Sequence, residues 1–255
     1  MNLARVSDFS TSANMRYGTQ VTVTGGTEAG HTFFMASQDV TSANTSGSGA
    51  VHWLADKLNP DVRLRVDNST VTSVSKAIDI NANGTGNMEI YFESDNGSNV
   101  TFSGNVTLQN LQAGVQETKT LGLNLAAVSG AVFTGIIGEA TPGSTATDDK
   151  LAINLFYGNA EFRAQNTYKG GTTVSGATLV VSNTAGSGTG FGNVSVTGGG
   201  TLAGTGIIAP ASGSNVTIAS GSNLTVGLPT DTVTDSARTL TINIGTVSYT
   251  HLTLP

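Results

Sequence analysis

Asp79-Ile80-Asn81-Ala82-Asn83-Gly84 sets oxygen-bearing side chains at alternate positions ahead of a glycine. Calcium takes carboxylate and amide oxygens, and a loop of the D-x-N-x-N-G kind completes its site with a bidentate glutamate six residues after the glycine. That place is held by Ile90, and Glu89 stands one residue short. On a strand, one step turns a carboxylate to the opposite face. Asp79, Asn81 and Asn83 are therefore the metal candidates, and the simpler expectation is a polar strand end running into an Asn-Gly turn.

Other groups that could do chemistry are sparse. Asp61-Val62-Arg63-Leu64-Arg65-Val66-Asp67 reads as a strand with three apolar residues on one face and four charged ones on the other. Such a row is a solvated face whose alternating ion pairs contribute little each. Asp148, Asp149 and Lys150 could join carboxylates from elsewhere in a polysaccharide-cleaving group, which needs two acids facing one bond. His31 and His52 have no ligand spacing around them, and His251 lies near the chain end. No catalytic residue, cofactor site or resident metal is expected from these patterns. The chain has no cysteine, so disulfides and thiol chemistry are excluded.

Positioning any of these groups falls to a repeat. Asn193-Val194-Ser195-Val196 recurs as Asn215-Val216-Thr217-Ile218, 22 residues on, and Leu202 recurs as Leu224 at the same offset. Val174 and Val196 are also 22 apart. Self-similarity at such a period marks a solenoid, whose repeats bury their apolar faces by stacking on one another. Within each repeat, apolar residues alternate with small polar ones, which is strand periodicity. Corners such as Gly198-Gly199-Gly200 supply the backbone freedom that tight turns need. The architecture expected is an all-β parallel β-helix. Val174, Leu179, Val194, Val196, Leu202, Val216, Ile218, Leu224 and Val226 should face its interior. At 22 residues per coil the 255 residues make about eleven coils along an axis of about 50 Å.

The run Asn166-Thr167-Tyr168-Lys169-Gly170-Gly171-Thr172-Thr173-Val174 is followed by Gly186–Gly190, by Gly199-Gly200-Thr201-Leu202-Ala203-Gly204-Thr205-Gly206 and by a strand pair over Val216–Val226. Together these resemble the autotransporter-associated β-strand repeat of secreted bacterial proteins. Members of that family usually carry a small hydroxyl residue where this chain has Lys169, and often a Pro-Gly-Asn-Ser corner where it has Gly227-Leu228-Pro229-Thr230. The resemblance covers residues 151–244. It implies a right-handed β-helix in a passenger region, secreted or held at the bacterial cell surface through an outer-membrane segment absent from this sequence. It implies no particular enzymatic activity.

Organisation is less regular elsewhere. Residues 1–150 read as irregular coils, 151–246 as the regular repeats. Val51, Leu54, Ala55 and Leu58 fall at helical spacing before Pro60, so one short helix is expected near 51–58. Gly138–Asp149, with Pro142, is expected to be a protruding loop. Met1–Asp8 lacks the apolar core of about 7–15 residues of a secretory signal. Val247–Pro255 resembles the read-through translation of a sequencing adapter, so the natural chain is expected to stop near Thr246, with the last nine residues solvated and outside the fold.

Eleven basic against 17 acidic residues argue against nucleic acid as a partner. No run of about 18 apolar residues is present to span a membrane as a helix. Three roles fit: a structural passenger or stalk with adhesive contacts to cells, matrix or polysaccharide and a tendency to associate end to end; a β-helix polysaccharide lyase or hydrolase; and a carbohydrate-binding adhesin that uses exposed aromatics.

Overall fold

The computed structural model describes residues 20–22, 32–35, 38–40, 50–55, 61–66, 72–82, 87–92, 99–109, 118–125, 130–140, 150–227, 239–243 and 247–249. Of 20–66, 81–82, 87–92 and 247–249 it describes the backbone alone. Every regular element among them is a β-strand.

From Ala50 to Phe162 the chain visits three sheets in turn; beyond Phe162 its strands alternate between the second and third of them, and Ile207–Ile208 pairs with Thr241–Ile242 in a separate two-stranded sheet. Ala50–Ala55 lies in sheet I, Asp61–Val66 in sheet II and Ser73–Val74 in sheet III; Ala77–Ala82, Asn87–Phe92 and Asn99–Phe102 then repeat the order. Val106–Gln109, Thr118–Asn124 and Gly130–Phe133 do so again, as do Ile137–Glu139, Lys150–Tyr157 and Asn159–Phe162. Each strand pairs in parallel with the strands before and after it in its own sheet. Parallel neighbours need a long crossover. Here the crossover is the passage through the other two sheets. The exception is Gln20–Thr22, which pairs antiparallel with Thr32–Met35.

The 22-residue offset is the register itself in the C-terminal part: Val194 pairs with Val216, Val196 with Ile218 and Leu202 with Leu224. Between Gln38 and Tyr157, however, partners lie 26 to 33 residues apart. Longer returns use up chain. The longest sheet therefore holds nine strands, about 38 Å of stacking at strand spacing, where eleven coils and about 50 Å were expected.

Alternation sends one side of each strand inward. In sheet II, Leu123, Leu155, Val174, Val196 and Ile218 succeed one another in register, each buried to 1% exposure or less. In sheet III, Ala131, Ala160, Leu179 and Leu202 form one such row, and Phe102, Phe133 and Phe162 the row beside it. Each large apolar side chain so buried contributes roughly 1.5–3 kcal/mol. The corners that leave sheet III are bonded to one another. Ser103 donates its N–H to the Val74 carbonyl, Thr134 to Phe102, Arg163 to Phe133 and Ser182 to Phe162. Only glycine fits where corners pack closest: a Cβ on Gly135 would collide with the Gly104 carbonyl.

Polar groups are satisfied inside this stack. Asn166, fully buried, accepts the Ile137 N–H at Oδ1 (2.8 Å) and donates from Nδ2 to the Gly188 carbonyl (2.7 Å). The buried Tyr168 hydroxyl donates to Thr172 Oγ1 (2.6 Å), which donates in turn to the Thr189 carbonyl (3.1 Å). Burial pushes the Tyr168 phenol far above its ordinary value.

Five expectations are corrected. Val51, Leu54 and Ala55 lie in a strand and not in a helix, because Ala50–Ala55 hydrogen-bonds to strands on both sides; Leu58 and Pro60 fall outside the described residues. Gly138 and Glu139 belong to a strand of sheet I, and of the expected loop 141–149 falls outside the described residues. Val226 is 53% exposed and Leu224 only partly buried, because Asn223–Val226 is the outermost strand of sheet III among the described residues. The repeat period departs from 22 outside the C-terminal part, reaching 26 to 33 between Gln38 and Tyr157 and falling to 19 between Ile153 and Thr172. Finally, the backbone of Val247–Tyr249 does not stand apart from the fold: it adds in parallel to Val216–Ile218.

Candidate functional site

The outward positions of sheet II present a continuous polar surface among the described residues. On Lys150–Tyr157, Leu151, Ile153 and Leu155 point inward, leaving Asn154 outward. Its register partners are Thr173, then Ser195, then Thr217, all half-buried. Ser175 and Thr197 begin a second row two residues further along each strand. Over the strands from Lys150–Tyr157 to Val216–Ile218 the outer face of this sheet thus carries two columns of hydroxyl and amide groups repeating at the strand spacing of about 4.8 Å. Short hydroxyl side chains suit it, since threonine is β-branched and serine small, and neither crowds a pleated surface.

The alternation breaks at one place. Leu123 pairs with Leu155, but Asn124 pairs with Tyr157, so Phe156 is an extra residue in a parallel bulge. Leu155 stays buried while Phe156 is half-buried and Tyr157 is 55% exposed. The two rings meet edge to face, centroids 5.3 Å apart. Beside them, the side-chain oxygens of Asn124 and Asn154 are shielded from water and accept no hydrogen bond. A buried acceptor without a donor costs about 1–3 kcal/mol.

Two carboxylates are engaged in holding the fold. Glu139 Oε1 accepts the backbone N–H of Leu151 (2.9 Å) and of Lys169 (2.8 Å). Glu161 and Arg163, two apart and so on one side of the chain, form a fork: Arg163 Nε and Nη2 each donate to a Glu161 oxygen at 2.8 Å. Ser182 of the next layer donates to Glu161 Oε1 at 2.5 Å. Partial burial alone pushes the Glu161 carboxyl up, but the Arg163 and Ser182 hydrogen bonds together hold it below the usual carboxylate range.

The sequence candidates are scattered. Asp79 sits half-buried on Ala77–Ala82, its backbone in register with His52 on one side and Thr107 on the other. Asn81 lies one residue before the end of that strand, in register with Gln109, while Asn83 and Gly84 lie outside the described residues. Among the described residues no three His, Cys, Asp or Glu side chains gather as for a metal ion. Asp61–Val66 is a strand as expected, with Arg63 in register with Glu89. Asp148, Asp149, His31 and His251 fall outside the described residues, and Lys150 opens its strand. Among the described residues no helix is long and apolar enough to cross a membrane.

Sequence reasoning passed over Tyr157, Asn124 and Asn154. One signal was present: Leu151-Ala152-Ile153-Asn154-Leu155 alternates strictly and then yields to adjacent aromatics, Phe156-Tyr157. No protein-family model, curated protein or solved structure matches the chain.

Proposed function

We propose that this chain is a segment of right-handed parallel β-helix that serves as a structural passenger or stalk of a secreted or surface-exposed bacterial protein, without intrinsic catalysis. The observation that carries the reading is the ordered return of the strands to the same sheets in parallel register, three sheets as far as Phe162 and two of them beyond it. Parallel strands joined by crossovers are almost always connected in the right-handed sense. An elongated stack exposes hydroxyl-rich sides and commits few charges, which suits a spacer that must stay soluble without attracting charged partners. Engagement of Glu139 and Glu161 in backbone and ion-pair contacts supports a non-catalytic role. The export and surface elements of the proposal rest on the resemblance of residues 151–244 to the autotransporter-associated repeat.

The test is antibody labelling of intact and permeabilised cells that produce the protein, with reducing-sugar release from pectin and alginate as a parallel assay. Labelling of intact cells without sugar release is expected. Labelling only after permeabilisation, or sugar release abolished by Glu139→Gln or Asp79→Asn, overturns the proposal.

A further inference from the structure

The bulge at Phe156 keeps an aromatic pair out of the core. A strictly alternating strand would turn one of two successive residues inward. Here Phe156 is half-buried, Tyr157 is mostly exposed and the rings touch each other. Bulges re-aim side chains and are over-represented beside functional sites.

Asn124 and Asn154 flank this platform on the same outer side, and the side-chain oxygen of each lacks a donor. An amide's last torsion is broad and two-fold, so a hydroxyl arriving from solvent can recruit that oxygen with a simple rotation. From Asn154 the hydroxyl column runs on through Thr173 and Ser195 along the stacking direction. These positions carry no charge. At Ile153–Leu155 the strand is paired on both edges, with Leu121–Leu123 and Thr172–Val174, so an added peptide strand has no backbone groups to join there. A nucleic acid could stack a base on Tyr157, but its phosphates would meet a chain of net charge −6.

We propose that this strip binds a linear, uncharged polysaccharide, with one sugar ring stacked on Tyr157 and the chain lying along the hydroxyl columns of sheet II. A sugar ring offers an apolar C–H face for the aromatic platform and hydroxyl donors for the Asn124 and Asn154 oxygens. Its remaining hydroxyls exchange hydrogen bonds with the serine and threonine rows. The assignment goes beyond a scaffold role and holds whether or not the protein is exported.

Affinity electrophoresis of the full chain tests it, in native gels containing hydroxyethyl cellulose, galactomannan or laminarin, with polygalacturonate as the charged comparison. At least one neutral polymer should retard the wild type. Tyr157→Ala should weaken that affinity about tenfold, as loss of one aromatic contact predicts. Tyr157→Phe should retain it, and so should Thr101→Ala on the outer side of sheet III. Tyr157 is exposed, so equal urea midpoints for wild type and Tyr157→Ala confirm an intact fold. Retardation by polygalacturonate alone, no retardation by any polymer, or equal retardation of Tyr157→Ala and wild type overturns the assignment. None of these results bears on the surface labelling that tests the stalk.

Discussion

Phe133 is the middle ring of three in successive strands of sheet III. Phe102 lies parallel to it at 4.7 Å and Phe162 stands edge-on at 5.5 Å, and none of the three is more than 1% exposed. Truncating a buried phenylalanine to alanine costs about 3–5 kcal/mol. The upper end applies here, because strands hydrogen-bonded on both sides prevent the site from collapsing. Phe133→Leu keeps much of the volume and forfeits two ring pairs at about 0.5–1.5 kcal/mol each, so it should cost about 1–3 kcal/mol. A double-mutant cycle between Phe102→Leu and Phe133→Leu should return the single shared pair, about 0.5–1.5 kcal/mol. Urea unfolding measures these differences. Amide exchange locates them: in a stack each layer leans on its neighbours, so protection should fall first in Asn99–Phe102, Gly130–Phe133 and Asn159–Phe162 and persist in Val194–Thr197. A Phe133→Ala cost below about 1 kcal/mol, far under that of a buried ring, would refute the packing. Uniform loss of protection in all strands would refute the layered reasoning.

Two further outcomes follow from the polar contacts. Asn166→Ala leaves the Ile137 N–H and the Gly188 carbonyl without partners in the interior, and should lower stability by about 2–4 kcal/mol in urea unfolding; an unchanged midpoint would show that the corner does not depend on that side chain. Glu161→Gln tests linkage: the folded carboxyl lies below its ordinary value, so its stabilisation is present above about pH 4.3 and is lost as pH falls through the folded value. The fork is substantially exposed, with Arg163 at 52%. The deficit of the variant at neutral pH should therefore stay under about 1 kcal/mol and vanish in acid, and a deficit independent of pH would refute the ion-pair account.

The C-terminal layers were legible because offset and register coincide there. Val194 and Val216 are recognisable as repeats for the same reason that they pair. Alternation also placed Val174, Leu179, Val194, Val196, Leu202, Val216 and Ile218 inside correctly. Earlier in the chain the returns lengthen, so no fixed offset betrays that Leu121 pairs with Ile153 or Phe102 with Phe133. Val51, Leu54 and Ala55 satisfied a helical spacing, yet Val51, Trp53 and Ala55 satisfy alternation equally, and pairing with both neighbours decided between them. Periodicity also assumes a next layer. Val226 has the pattern of an inward residue, but it stands at the edge of its sheet. The aromatic platform was hidden because a bulge is a property of two strands, and its partner strand begins 32 residues earlier. The roles of Asn166 and Glu139 were invisible for a similar reason, since their bonds reach residues 29 and 30 positions away.

The links from sheet III to sheet I are two or three residues long at 75–76, 103–105 and 134–136, whereas those from sheet I to sheet II stretch to 110–117 and 140–149. Register is kept at both ends of the long links: Val106 still meets Ile137, and Lys119 still meets Leu151. One seam of the molecule is thus held to two or three residues, while another varies in length as the strands on either side keep their pairing. Anything added along the permissive seam acquires a height of its own, in steps of about 4.8 Å. Such a chain works as a ruler. New recognition loops can be gained, lost or swapped one graduation at a time, without renegotiating the packing of the rest.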